Sequence, residues 1–291
     1  MSSAILIQEK SFHRDLEAQT HFVLQGTDNF TFCPLIWRIF QLAKLFLINN
    51  EEFAGERIQG KRHYQEDDFG FDNSQPQDFL MVLADGMGGH KGGAFASDCA
   101  IKTFMNSYHA VSGRVAERLQ QALQKTNQQL ALEVQSKPKL KGMGCTLVGA
   151  ALSEAQIEWV SVGDSPLWLY KKAGQLVRLN ADHSMKPILK ELVRLGEIMP
   201  GELATHPDRN MLRAAIVGGK IDLIDQSSAP LEAGDRILLA SDGILSLSET
   251  EIANILDQSL SAKALVKKLL VAVDNKGKRN QDNTTALVVK M

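Results

Sequence analysis

Short apolar runs that follow one another with only a few residues between them are the strongest constraint on this chain. Cys145–Leu152, Ile157–Val162 and Leu167–Tyr170 each read as a strand. A parallel pair needs a crossover of about a dozen residues or more, so runs this close must turn back as antiparallel neighbours. Phe79–Ala84, Arg236–Ala240 and Thr285–Lys290 add further strands, and helical periodicity is expected over 92–108, 114–135, 186–195 and 261–273. The strands outnumber strand–helix–strand alternations. The pattern therefore predicts an α+β chain, with largely antiparallel sheets flanked by helices rather than a doubly wound parallel sheet. From about Phe53 onward it reads as one continuous domain. Ahead of it, Leu35–Ile48 is an apolar stretch with Arg38, Gln41 and Lys44 forming a narrow polar stripe, as on an amphipathic helix. It is shorter than the roughly 20 residues that cross a bilayer. A helix packed on the domain or on a partner protein, or lying in a membrane interface, is expected there. The opening residues lack the basic-then-apolar order of a secretory signal.

Two strand-like runs, MVLADGMGG (81–89) and ILLASDGIL (237–245), share a further property: each ends in Asp-Gly. One such pair is ordinarily a turn. Here Asp85-Gly86 and Asp242-Gly243 both follow apolar runs, and three more acidic groups lie at element boundaries: Arg62-x-x-x-Glu66-Asp67, Gly163-Asp164-Ser165 and Asp282-Asn283. None has a His or Cys beside it at zinc-type spacing. If these carboxylates converge, they form an all-oxygen site suited to hard ions such as Mg²⁺ or Mn²⁺. The three cysteines, Cys33, Cys99 and Cys145, form neither a disulfide framework nor a sulfur-bound metal site, and a reducing, cytoplasmic setting fits them. No Cys-x₅-Arg, Gly-x-Ser-x-Gly or His-Glu-x-x-His motif occurs, and the GMGGHKGG run lacks the Lys-Ser/Thr ending of a nucleotide-binding loop. Thirty-two Lys and Arg against 34 Asp and Glu leave a net charge of −2, so no nucleic-acid partner is expected. The basic run Lys276–Arg279 reads as a solvated loop.

In order along the chain stand GKRHYQEDDFGF, MVLADGMGGHKGG, KGMGCTLVGA, WVSVGDSPLWLY, NADHS, LVRLGEIMPGELATHPDRNMLRAAI, ILLASDGIL and QDNTTALVV. The series resembles the protein phosphatase 2C family of metal-dependent serine/threonine phosphatases, in its bacterial form. The resemblance covers about 55–291, leaving 1–54 as an N-terminal extension. It implies a four-layer αββα sandwich of two antiparallel sheets flanked by helices. It also implies hydrolysis of phosphoserine and phosphothreonine in proteins by a metal-bridged hydroxide, without a covalent intermediate. Two Mn²⁺ or Mg²⁺ ions are implied, with a weaker third. Asp85 matches the bridging ligand, Asp242 and Asp282 the other ligands of the first metal, and Glu66 and the Gly86 carbonyl those of the second. Asp164 with Asp242 matches the third site, and Asp67 a position beside the metals. Arg62 matches the phosphate-binding arginine and His90 the general acid; His183 and Thr146 read as structural. Pro166 stands where the family commonly has Arg, which removes a cation from beside Asp164. The flap, about 185–220, is expected to take part in substrate choice, and a monomer is expected. The rival reading is a silent pseudophosphatase serving as a binding module, which should have lost carboxylates or the arginine; all are present.

Overall fold

Alternation along the strands sorts the side chains into three apolar layers. The computed structural model describes residues 52–74, 78–89, 91–153 and 155–291, which form one compact unit. The helix expected over 35–48, and His90, lie outside the described residues. One sheet has five strands, in the order β1 (Phe53–Ile58), β11 (Thr284–Lys290), β10 (Arg236–Ala240), β7 (Leu167–Tyr170) and β8 (Leu176–Arg178). The other runs β2 (Asp67–Asp72), β3 (Phe79–Met87), β5 (Leu147–Ser153), β6 (Gln156–Val162) and β9 (Asp225–Pro230), with the two-residue β4 (Gly144–Cys145) paired to β3. Every pairing is antiparallel.

Successive residues of a strand face opposite sides, and β3 shows the result. Phe79, Met81 and Leu83 enter the layer between the sheets, where they join Leu167, Leu169, Ile237, Leu239, Leu287 and Val289. Leu80, Val82 and Ala84 point the other way, onto α1 (Lys91–His109) and α2 (Val115–Ser136). On the far side Leu238, Ala240, Ala286 and Val288 pack on α5 (Glu249–Leu256) and α6 (Ala262–Asn275). The layers are therefore helix, sheet, sheet, helix. The flap carries α3 (Lys186–Leu195) and the short α4 (Glu202–Thr205). Where α1 and α2 meet the start of β3, Arg118 pairs with Asp78 at 2.5 Å, and its guanidinium lies 3.8 Å from the Tyr108 ring centroid. Among the described residues no helix is long and apolar enough to cross a membrane.

Candidate metal centre

Strand ends from both sheets open onto one cleft of about 660 Å³, and the carboxylates of Glu66, Asp85, Asp164, Asp242 and Asp282 line it together with Arg62 and Gly86. Asp85 is near the end of β3, and Asp242 begins the 3-10 turn Asp242–Ser246 that follows β10. Asp282 lies just before β11, Glu66 just before β2 and Asp164 just after β6. The opposite wall comes from the flap, through Asn210, Leu212, Arg213 and Ala214.

Each ligand candidate is held by neighbours that fix its backbone. The Asp85 amide donates to Thr146 Oγ1 at 3.1 Å, and the Thr146 and Ser165 hydroxyls are 2.7 Å apart, which ties the Asp85 segment to the Asp164 segment. The Gly86 amide donates to the Glu66 carbonyl at 3.0 Å. The Glu66 amide donates to Asn283 Oδ1 at 2.8 Å, although the two residues are 217 apart in sequence. Asn283 Nδ2 in turn donates to the carbonyls of Gln59 and Tyr64. Gly93, in the first turn of α1, makes room for the carboxylate: a Cβ there would come within 2.3 Å of Glu66 Oε1.

Asp67 is not part of the cleft wall. It lies opposite Asp85 in the β2–β3 register, is 2% exposed, and its Oδ2 accepts from Ser241 at 2.7 Å and Thr285 at 2.8 Å. These bonds join the two sheets directly behind the site. Arg62 Nη2 donates to Asp282 Oδ2 at 2.5 Å, so the guanidinium stands at the mouth of the cleft with a carboxylate on one side of its fork. The cation missing at Pro166 is replaced from elsewhere. Arg178 donates to the Asp164 carbonyl at 2.9 Å, and Lys186 Nζ lies 3.5 Å from Asp164 Oδ2. His183 has a structural contact, with its Nδ1 accepting from the Gly163 amide at 3.2 Å.

The electrostatics of this arrangement are adverse until a cation arrives. Burial pushes the Asp85 carboxyl well above its ordinary range, and the charges of Asp67, Asp242, Asp164 and Asp282 push in the same direction. Asp242 is raised to about 7 by desolvation, then by Asp164 and Asp282. Asp67 is raised to about 6 by burial, against the lowering effect of its two hydroxyl donors. Asp164 is raised by burial, with Lys186 opposing. Among the described residues, no three His, Cys, Asp or Glu side chains are drawn together closely enough to grip an ion as placed. Like charges keep apart, and Asp282 and Asp164 lean on Arg62 and Lys186. The set nevertheless fits hard divalent cations: its donors are oxygen, its walls are partly desolvated, and its negative charge exceeds what Arg62 and Lys186 offset.

Sequence reasoning did not identify Asn283, Ser241 or Thr285 as supports, nor Asn210 and Arg213 as cleft wall. The HPDRN motif, 206–210, was a signal for Asn210 alone; Arg213 lies three residues beyond it.

The sequence profile described as Protein phosphatase 2C matches residues 54–282. The serine/threonine phosphatase Stp of Listeria welshimeri is 34% identical over 238 residues, which cover 79% of this chain and 91% of that protein. The protein phosphatase PhpP of Streptococcus pneumoniae is 30% identical over 219 residues, covering 73% and 85%. Among solved structures, the phosphatase Stp1 of Staphylococcus aureus superposes with a TM-score of 0.74 at 28% identity, over 84% of this chain and 96% of that one. The catalytic domain of the phosphatase PstP, solved with two manganese ions, gives 0.68 at 27% identity, over 82% and 96%.

Proposed function

The chain belongs to the protein phosphatase 2C family and is a metal-dependent serine/threonine protein phosphatase; from that premise we propose how its own residues divide the work. Asp85, Asp242 and Asp282 would hold one Mn²⁺ or Mg²⁺ ion, and Asp85, Glu66 and the Gly86 carbonyl a second. Two such cations, once bound, acidify water and offset the charge of the phosphate. A phosphomonoester arriving at the cleft is close to a dianion. The planar fork of Arg62 is suited to taking two of its oxygens, with Asp282 holding the guanidinium in place. The departing serine or threonine alkoxide needs a proton, and His90 is assigned as its donor. Asp67 braces Asp85 from behind through the two sheets. Asp164 with Asp242 would hold a weaker third cation, in competition with Lys186.

The substrates are phosphoserine and phosphothreonine proteins, and the flap wall of the cleft takes part in choosing among them. The protein works as a cytoplasmic monomer with a catalytic domain over 55–291, preceded by an extension, 1–54, whose segment 35–48 engages a partner protein or a membrane surface. The observation that carries the catalytic reading is the convergence of five carboxylates and Arg62 on a single cleft. The test is hydrolysis of p-nitrophenyl phosphate and a phosphothreonine peptide by the full chain, stripped with EDTA and reloaded with Mn²⁺. Turnover should return with the metal, and Arg62→Ala should lower kcat/KM by about 10²-fold or more, as expected for a lost charge-assisted phosphate contact. Turnover indifferent to EDTA, or an Arg62→Ala enzyme equal to the wild type, refutes the assignment.

A further inference from the structure

Arg62 lines two spaces. One is the cleft; the other is a separate pocket of about 360 Å³, whose remaining walls are Lys61, Asn280 and Gln281. We propose that this side pocket is a second anion subsite, which takes a carboxylate or a second phosphate carried by the substrate chain a few residues from the phosphate being removed. The proposal rests on the phosphatase reading above and goes beyond it.

The pocket has a fixed base. The Lys61 amide donates to the Gln281 carbonyl at 2.8 Å, and Gly60 lets the two segments lie back to back. Its φ is +62°, and a Cβ there would come within 2.4 Å of the Asp282 carbonyl oxygen. Gln281 is 3% exposed. Its side chain is turned inward, with Nε2 donating to the Gly243 carbonyl and Oε1 accepting from Ser246. The rim presents Lys61, Arg62 and Asn280 to solvent.

The charge at this rim is unusual for a chain with a net charge of −2. Lys278 and Arg279 sit in the turn that leads into the pocket, where the Gln281 amide bonds the Lys278 carbonyl. No described carboxylate lies within ion-pair distance of Lys61, Lys278 or Arg279, whereas Lys276, in the same loop, is taken by Glu251 at 2.7 Å. The nearby Asp274 lines a different groove, together with Lys267. Lys61 and Arg62 thus line the pocket, Lys278 and Arg279 follow in the turn beside it, and Arg62 is the one of the four that an acid, Asp282, engages among the described residues. A phosphorylated side chain seated at Arg62 brings its neighbouring residues past this rim, so an anion on those residues meets unmatched positive charge. Exposed charges of this kind act on capture more than on the chemical step, and salt weakens them. The effect should therefore appear in KM.

The test uses the full chain with Mn²⁺ and three phosphothreonine peptides of one length. Their flanking residues are neutral in the first, contain two Asp in the second and carry a phosphoserine in the third. Each protein is scored by the ratio of kcat/KM for an anionic peptide over that for the neutral one. The wild type should show a ratio of roughly five- to tenfold, carried by KM and shrinking with added KCl, as expected for two or three exposed ion pairs. The triple variant Lys61→Ala, Lys278→Ala, Arg279→Ala should bring the ratio close to one. A response to both peptides, or to the phosphoserine peptide alone, supports the subsite and tells which anion it takes. A response to neither in the wild type, or a ratio that survives in the triple variant, overturns the subsite while leaving the phosphatase reading intact. Turnover of no substrate at all overturns both.

Discussion

Replacing Asp242 by Asn should stabilise the metal-free protein while disabling the loaded one. An ordinary Asp titrates near 3.8, and in the fold Asp242 is raised to about 7, first by desolvation and then by Asp164 and Asp282. Below about pH 3 the carboxyl is neutral in both folded and unfolded chains, and it does not alter stability. As the pH rises, the unfolded chain releases this proton first, so stability falls steadily until the pH passes about 7 and then levels off. The gap between the two values corresponds to about 4 kcal/mol at pH 8. That is an upper bound, because water in the cleft still reaches Asp242. For a chain of this size it translates into a shift in Tm of at most roughly 8–16 °C. Asn keeps the shape and never ionises. Thermal melts followed by the fluorescence of the buried Trp159 and Trp168 should therefore place EDTA-stripped Asp242→Asn above the wild type at pH 8, with most of that difference gone at pH 4. With millimolar Mn²⁺ the order should reverse, since the wild type gains binding free energy that the variant, short of a ligand, does not. A stripped variant that melts below the wild type at pH 8, or a difference that ignores pH, refutes the picture of carboxylates held together against their own repulsion.

Two other sites give equally direct tests. Gly93→Ala should weaken Mn²⁺ binding by about tenfold or more in calorimetric titration, because its methyl would displace Glu66; such losses are typical when a ligand's support is disturbed. Gly92→Ala, whose Cβ would meet Met143 at an ordinary 3.6 Å, should bind normally. Asp78→Ala strands the Arg118 guanidinium and should cost about 3–5 kcal/mol in urea unfolding. Its kcat below the transition should stay close to that of the wild type.

The parts of the fold that were legible in the sequence are those whose residues follow a period. Leu167–Tyr170, Arg236–Ala240 and the helix over 186–195 came out with the observed bounds, since each is an uninterrupted apolar or amphipathic run. The edge strand β9 was not legible: DQSSAP carries no alternation, and only its pairing with β6 makes it a strand. The half-exposed β1 hides in the same way. Helix α5 was missed despite an available cue, the capping box formed by Ser248 and Glu251. At the site, the order of the acidic motifs pointed to the carboxylates that line the cleft. What braces them did not show, because Ser241 and Thr285 reach Asp67 across 174 and 218 residues of sequence, and no local pattern encodes such a contact.

β11 is the last strand in the sequence, yet it lies between β1 and β10 in the five-stranded sheet and brings Asp282 and Asn283 in with it. During synthesis, everything up to β10 can leave the ribosome while this sheet still lacks an inner strand and the loop at Glu66 lacks its clamp. Until β11 pairs, the cleft lacks the Asp282 carboxylate and the Glu66 amide lacks its Asn283 acceptor. Pairing of β11 between β1 and β10 therefore completes the sheet and assembles the cleft in the same step.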